Sequence, residues 1–298
     1  MRRKAVFLLA APSLACAAGC AAGRPDAPAR TATLESAPLS FAVQDGRRVA
    51  YKVAGRGEPA LVFVHGWACD MTSFRFQVPV FAKTHRVIAI DLPGHGASDK
   101  PEIVYSMDLF ARAIDAVLKD AGVARAVLVG HSLGTPVVRQ FYRLMPGKTV
   151  ALVAVDGALK PYTLDPAAVE RFLAPFAGPG VREAQTRMVD SMFTPPDADL
   201  AASVKTVALA TPPFVVVSAG RAMFDPAIWR EDPIAVPLLV VLAQSPFWNS
   251  EYEAFVRKLA PGVRYELLHG VGHFLMLQKP DEFNKLLAAF LAGLTKPA

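Results

Sequence analysis

Between residues 40 and 295 the chain alternates short, wholly apolar runs with stretches in which apolar residues recur every three or four positions. The runs "ALVFV", "RVIAI", "AVLV", "TVALVAV" and "PLLVVLA" each predict a strand buried on both faces, because a solvated face would demand polar residues at alternate positions. "VRYELL" supplies one more strand near the end. Upstream, "SFAVQDGRRVAYKVAG" alternates on both sides of Asp45-Gly46 and predicts a hairpin. Residues Met107 to Lys119 have helical spacing. So does "PDEFNKLLAAFLAGL", where Phe283, Leu286, Leu287, Phe290 and Leu294 share one face and Pro280 suits a first helical turn. Apolar strands alternating with amphipathic helices predict an α/β protein with a mostly parallel sheet flanked by helices.

One segment breaks this rhythm. From Ala158 to Pro233 prolines recur from Pro161 to Pro213, and no strand–helix pair is evident before "FVVVSAG". The insertion is too long for a structureless loop. It predicts a helical cap over 158–233, inserted after the sixth strand, with a core formed by 39–157 and 234–298. Phe176, Met188, Met192, Phe193, Phe214 and Met223 are available to pack the cap on the core, a minority of them lining a pocket.

Composition changes the picture mainly at the amino end. The chain has 298 residues, 53% hydrophobic and 19% charged, enough for one large core with a cap. Arg2, Arg3 and Lys4 carry three of the six net positive charges and precede an apolar stretch from Ala5 to Ala18, the pattern of an export signal. No basic block lies beyond it, so nucleic-acid binding is not expected. "ACAAGCAAG" resembles the lipobox of bacterial lipoproteins. That resemblance implies a signal over 1–20, lipidation of Cys20 (with Cys16 a weaker competitor) and a membrane-anchored, exported protein. Without lipidation, the same signal implies a periplasmic or secreted one. Residues 21–38, rich in Ala, Pro and Arg, read as a flexible tether. Cys69 is then the remaining thiol, so no intrachain disulfide is expected.

Polar residues gather where strands end. "LVFV" runs into His65-Gly66-Trp67, "VIAI" into Asp91, "VLV" into Gly130-His131-Ser132-Leu133-Gly134, and "ALVAV" into Asp156; His273 follows the last strand in "HGVGHF". Open parallel sheets bind ligands at those ends. "HGW", "DLPGHGASD", "GHSLG" and "GVGHF", in this order over roughly residues 40–295, resemble the α/β-hydrolase fold superfamily, serine-esterase type with a helical cap. The resemblance implies Ser132 as nucleophile, His273 as general base, and an oxyanion hole from the backbone N–H groups of Trp67 and Leu133. His65, His95 and His131 then take structural roles, whereas His85 and His269 match no motif.

A serine hydroxyl needs a base to take its proton, and imidazole titrates near neutrality. The third member departs from the family pattern. Where the acid usually follows the strand after the cap, this chain reads "LAQSPFWNSEYE". Asp156, at the end of the preceding strand, is the favoured acid; Glu251, Glu253 and Asp225 are the alternatives. No metal or other cofactor is expected. The expected activity is cleavage of carboxylic esters of small, mostly apolar substrates through an acyl-enzyme. Alternatives are a carbon–carbon bond hydrolase, a lactonase, a perhydrolase, or a non-catalytic protein that binds a small ligand in the same pocket. Serine at the elbow argues against dehalogenase and epoxide-hydrolase relatives, which carry Asp there.

Overall fold

A computed structural model describes residues 32–294. The signal segment, Cys16, Cys20 and residues 21–31 of the tether lie outside them. The strands are β1 (Leu39–Gln44), β2 (Arg47–Ala54), β3 (Ala60–Val64), β4 (Val87–Ile90), β5 (Ala126–His131), β6 (Thr149–Val155), β7 (Leu238–Ala243) and β8 (Arg264–Leu268). They form one sheet in the order β1-β2-β4-β3-β5-β6-β7-β8. β1 and β2 pair antiparallel, as do β2 and β4; from β4 to β8 all neighbours are parallel. Strands β3, β4, β5 and β7 are buried at every position, which is why their sequences are apolar runs, broken only by His131 at the end of β5.

At the β1–β2 hairpin, Asp45 and Gly46 both take positive φ (49° and 76°), as a two-residue turn of the right twist requires. The face of β1 is the reverse of simple hydrophobic alternation. Ala42 and Gln44 point inward while Leu39, Phe41 and Val43 are exposed. Gln44 is satisfied there because its amide donates to the Leu109 carbonyl at 3.0 Å, and Arg48 lies over the Phe41 ring at 4.8 Å.

The helices are α1 (Val78–Phe81), α2 (Met107–Asp120), α3 (Gly134–Leu144), α4 (Pro166–Ala177), α5 (Val181–Ser191), α6 (Ala198–Ala210), α7 (Pro213–Ala222), α8 (Ser250–Leu259), α9 (Leu275–Gln278) and α10 (Pro280–Leu294). Ser106 caps α2 by accepting from the Leu109 N–H. In α10, Phe283, Leu287 and Phe290 are buried, joined by Asn284 and Leu291; Leu286 and Leu294 lie at the margin. Between β6 and β7 the chain forms α4 to α7, and the "FVVVSAG" run is helical, inside α7. Pro166 and Pro213 stand in first helical turns, where a missing N–H costs nothing. Among the described residues no single helix is long and apolar enough to cross a membrane.

Candidate active site

Between β3 and β5 the chain order reverses: β3 leads to β4 on one side, and the chain returns to β5 on the other. The crevice at the carboxyl ends of such strands is where open α/β sheets place their sites. Ser132 stands there, between β5 and α3, with φ +53°. The tight strand-to-helix turn leaves no room for side chains beside it. A Cβ on Gly130 would collide with the Gly134 carbonyl, and one on Gly134 with the Val64 carbonyl. The Ser132 N–H donates to the Val155 carbonyl at 3.0 Å, tying the elbow to β6.

His273 follows β8. Its Nδ1 lies 2.6 Å from Asp156 Oδ2. The ring's main chain is fastened to the elbow, since His131 Nε2 donates to the His273 carbonyl at 3.0 Å and the two imidazole centroids are 4.7 Å apart. It is fastened to the cap as well: the His273 N–H donates to the Met192 carbonyl at 2.8 Å, and the Phe193 ring stacks on Phe274 at 5.1 Å. Gly272 permits that approach, because a Cβ there would run into the Met192 carbonyl. Gln278 braces the loop by accepting from the Gly272 N–H at 2.7 Å and donating to the Pro195 carbonyl at 3.1 Å.

Asp156 ends β6 in a left-handed conformation, φ +40°, and is 5% exposed. Its Oδ1 accepts from the Ala243 N–H at 2.8 Å and the Trp248 indole N–H at 3.0 Å, leaving Oδ2 to His273. The alternative carboxylates are committed elsewhere or remain in solvent. Glu253 pairs with Arg257 at 2.7 Å, Asp225 accepts from the Ala227 N–H at 2.9 Å, and Glu251 is exposed in the first turn of α8.

The loop after β3 closes the other side. A Cβ on Gly66 would stand 3.0 Å from Ser132 Cβ, so this backbone passes directly beside the elbow. Neither the Trp67 nor the Leu133 N–H has an acceptor among the described residues. Two such amides flanking a serine suit a developing oxyanion. The Trp67 ring reaches into the cap: its Nε1 donates to the Val216 carbonyl at 2.8 Å, and it meets Phe176 edge-on at 4.9 Å.

Three buried histidines shape these loops rather than react. His65 accepts from the Leu92 N–H at 3.0 Å through Nε2, so Nδ1 carries the proton that bonds the Gly66 carbonyl at 2.8 Å. Burial pushes its pKa down to about 4 and that of His95 to about 3, and holds His131 well below the usual imidazole value. Asp91 accepts from the Met71 and Ala97 N–H groups at 2.7 Å each, and burial raises it to about 6. Burial likewise pushes the Cys69 thiol up to about 12, which leaves it a poor nucleophile.

These groups predict a pH dependence of stability. On unfolding, each buried imidazole takes up a proton near its ordinary value of 6.5, so the unfolded chain binds more protons and stability falls as pH drops below that value. At pH 5 the loss is about 2 kcal/mol for each of His65 and His95. Asp91 works in the opposite sense: it binds its proton earlier in the native state and returns about 1 kcal/mol. For these three groups the expected net loss between pH 7 and pH 5 is about 3 kcal/mol, and His131 adds to it in the same direction, read from denaturant midpoints. A midpoint that stays flat over this range would contradict the assignment of these imidazoles as neutral.

His269 and His273 are four residues apart, a spacing that on a helix can join two metal ligands. Here it spans the end of β8 and a bend, and His269 is exposed. Among the described residues no group of three or more His, Cys, Asp or Glu could hold a metal ion.

Sequence reading missed Trp248, the Ala243 N–H and Gln278. The signal for Trp248 was present: an indole donor in the very loop that lacks the usual carboxylate.

This is the architecture of an α/β-hydrolase. The model of the alpha/beta hydrolase family matches residues 61–286, and the chain belongs to that family as a hydrolase. It is 27% identical to an uncharacterized protein of Mycobacterium tuberculosis over 87% of this chain and 82% of that one. Among solved structures it is similar to Est816, described as an N-acyl homoserine lactone degrading enzyme (26% identity, TM-score 0.71, 84% of this chain and 100% of that one). A thermophilic esterase from Thermogutta terrifontis shares the fold at 22% identity and TM-score 0.75, over 87% of this chain and 100% of that one.

Proposed function

We propose that this hydrolase is a serine enzyme that cleaves carboxylic esters, ring esters included, through an acyl-enzyme. The observation that carries the reading is the 2.6 Å contact between His273 Nδ1 and Asp156 Oδ2, beside a serine at a left-handed elbow. With Nδ1–H engaged by the carboxylate, Nε2 has a free lone pair to take the Ser132 proton as Oγ attacks the substrate carbonyl. The oxyanion that forms is met by the N–H groups of Trp67 and Leu133. Collapse expels the alcohol, which takes the proton back from Nε2. Water then repeats the sequence on the acyl-serine and releases the acid.

Substrate class is the finer part of the proposal. The apolar cap favours small, mostly apolar acyl groups, and the likeness to Est816 supports lactones within the same chemistry. The test combines a fluorophosphonate probe with a panel of p-nitrophenyl esters and N-acyl homoserine lactones. Labelling at Ser132 with turnover on the panel is the expected result. A folded protein that neither labels nor turns over would instead favour the ligand-binding reading.

We infer in addition, from "AAGC" and the charged start, that the mature chain begins at a lipidated Cys20. Mass spectrometry of the membrane fraction should find a lipid-modified terminus at that residue. An unmodified terminus elsewhere would favour plain secretion.

A further inference from the structure

In the family pattern stated above, the loop after β7 carries the acid. Here that loop, Gln244 to Asn249, contains no carboxylate. It nevertheless ends at the acid: Ala243 N–H and Trp248 Nε1–H converge on Asp156 Oδ1 at 2.8 and 3.0 Å. We infer that the acid's departure to β6 left this loop as its hydrogen-bond cradle, with Trp248 a positioning residue for Asp156. The inference rests on the proposed roles of Asp156 and His273.

The indole is itself firmly held. Trp248 is 8% exposed and packs on Tyr252 with centroids 4.7 Å apart. The Tyr252 hydroxyl accepts from the Leu159 N–H at 3.0 Å, bracing the chain just beyond Asp156. Asn249 caps α8 by accepting from the Tyr252 N–H at 3.0 Å, which fixes where the loop ends and the helix begins. A carboxylate on a two-bond stem turns easily about its last torsion. Two donors on Oδ1 stop that rotation and aim Oδ2 at His273. They also draw electron density from the carboxylate, so less is available to stabilise the imidazolium.

Removing the indole N–H therefore has two separable effects. Aim is lost, which lowers turnover. The carboxylate also becomes a stronger partner for the protonated ring, which moves the acidic limb of the pH–rate profile upward. In Trp248→Phe, kcat should fall about tenfold with KM within about twofold, and the acidic limb should rise by about half a pH unit. A merely structural role would lower activity without moving that limb. Phe247 is 71% exposed, with its ring centroid 6.0 Å from that of Tyr162, so Phe247→Leu is the control and should change neither.

A readout independent of turnover separates this inference from the esterase reading. The downfield proton resonance of the His273 Nδ1–H should shift in Trp248→Phe and not in Phe247→Leu. If Trp248→Phe does not fold, the indole N–H resonance of Trp248, with its hydrogen exchange, should respond to Asp156→Asn. An unmoved downfield resonance in folded Trp248→Phe overturns the inference, as does an indole signal indifferent to Asp156→Asn. A protein inert on every ester but showing these shifts would refute the esterase reading alone.

Discussion

Ser132→Ala is expected to lower ester turnover by about 10³- to 10⁶-fold while leaving the fold intact. The effect is large because in the proposed mechanism the nucleophile, base and acid act as one unit. Without Oγ, His273 has no proton to accept and the oxyanion donors have no attacked carbonyl to stabilise. The reason for the intact fold is equally local. Ser132 Oγ holds no hydrogen bond among the described residues, whereas the backbone around it is tied by Ser132 N–H to Val155 and Thr135 N–H to the Ser132 carbonyl at 2.9 Å. Alanine meets the same φ of +53° as serine, so no new strain is introduced. Steady-state kinetics on the best p-nitrophenyl ester, with a thermal melt beside them, check both halves. Turnover within tenfold of the wild type in a folded variant would sink the serine mechanism.

How much of this was legible before the structure depends on which force wrote each feature. The inner strands were readable because strands buried on both faces must be apolar at every position, as β3, β4 and β7 are, whereas β1 and β2 were readable from the alternation around Asp45-Gly46. The face of β1 was not readable, because a lone glutamine turned inward finds the Leu109 carbonyl and overrides the apolar count. The elbow was legible from Gly130 and Gly134, whose missing side chains make space for the start of α3 and for the end of β3 respectively. Trp248 left a fainter signal, an indole donor in the loop that lacks the usual carboxylate. Its role was not legible, because a neutral donor that serves a charge on another strand has no pattern of its own. The same holds for the Met192 carbonyl, which holds the His273 N–H from the cap, and for the Gln278 amide, which ties Gly272 to the cap's Pro195 from α9.

Asp156→Asn should cost about 10³- to 10⁴-fold in turnover, and the geometry says why the amide is a poor substitute. The two N–H donors from Ala243 and Trp248 bind whichever atom occupies the Oδ1 position, so an asparagine settles with its carbonyl oxygen there. That orientation turns the NH₂ group toward His273 Nδ1, which stands 2.6 Å from Oδ2 in the wild type. An NH₂ donates, so Nδ1 must accept, and the imidazole proton is driven to Nε2. Nε2 is the atom that has to take the Ser132 proton, and a protonated Nε2 cannot. The variant thus loses the charge that stabilises the imidazolium and also fixes the wrong tautomer. Glu253→Gln, Glu251→Gln and Asp225→Asn should each stay within about tenfold of the wild type, since these side chains pair with Arg257, face solvent, and bond the Ala227 N–H respectively. Nitrophenyl-ester kinetics across all four variants decide the matter. Full activity in Asp156→Asn, or a collapse in one of the other three, would move the acid away from β6 while leaving Ser132 and His273 in their proposed roles.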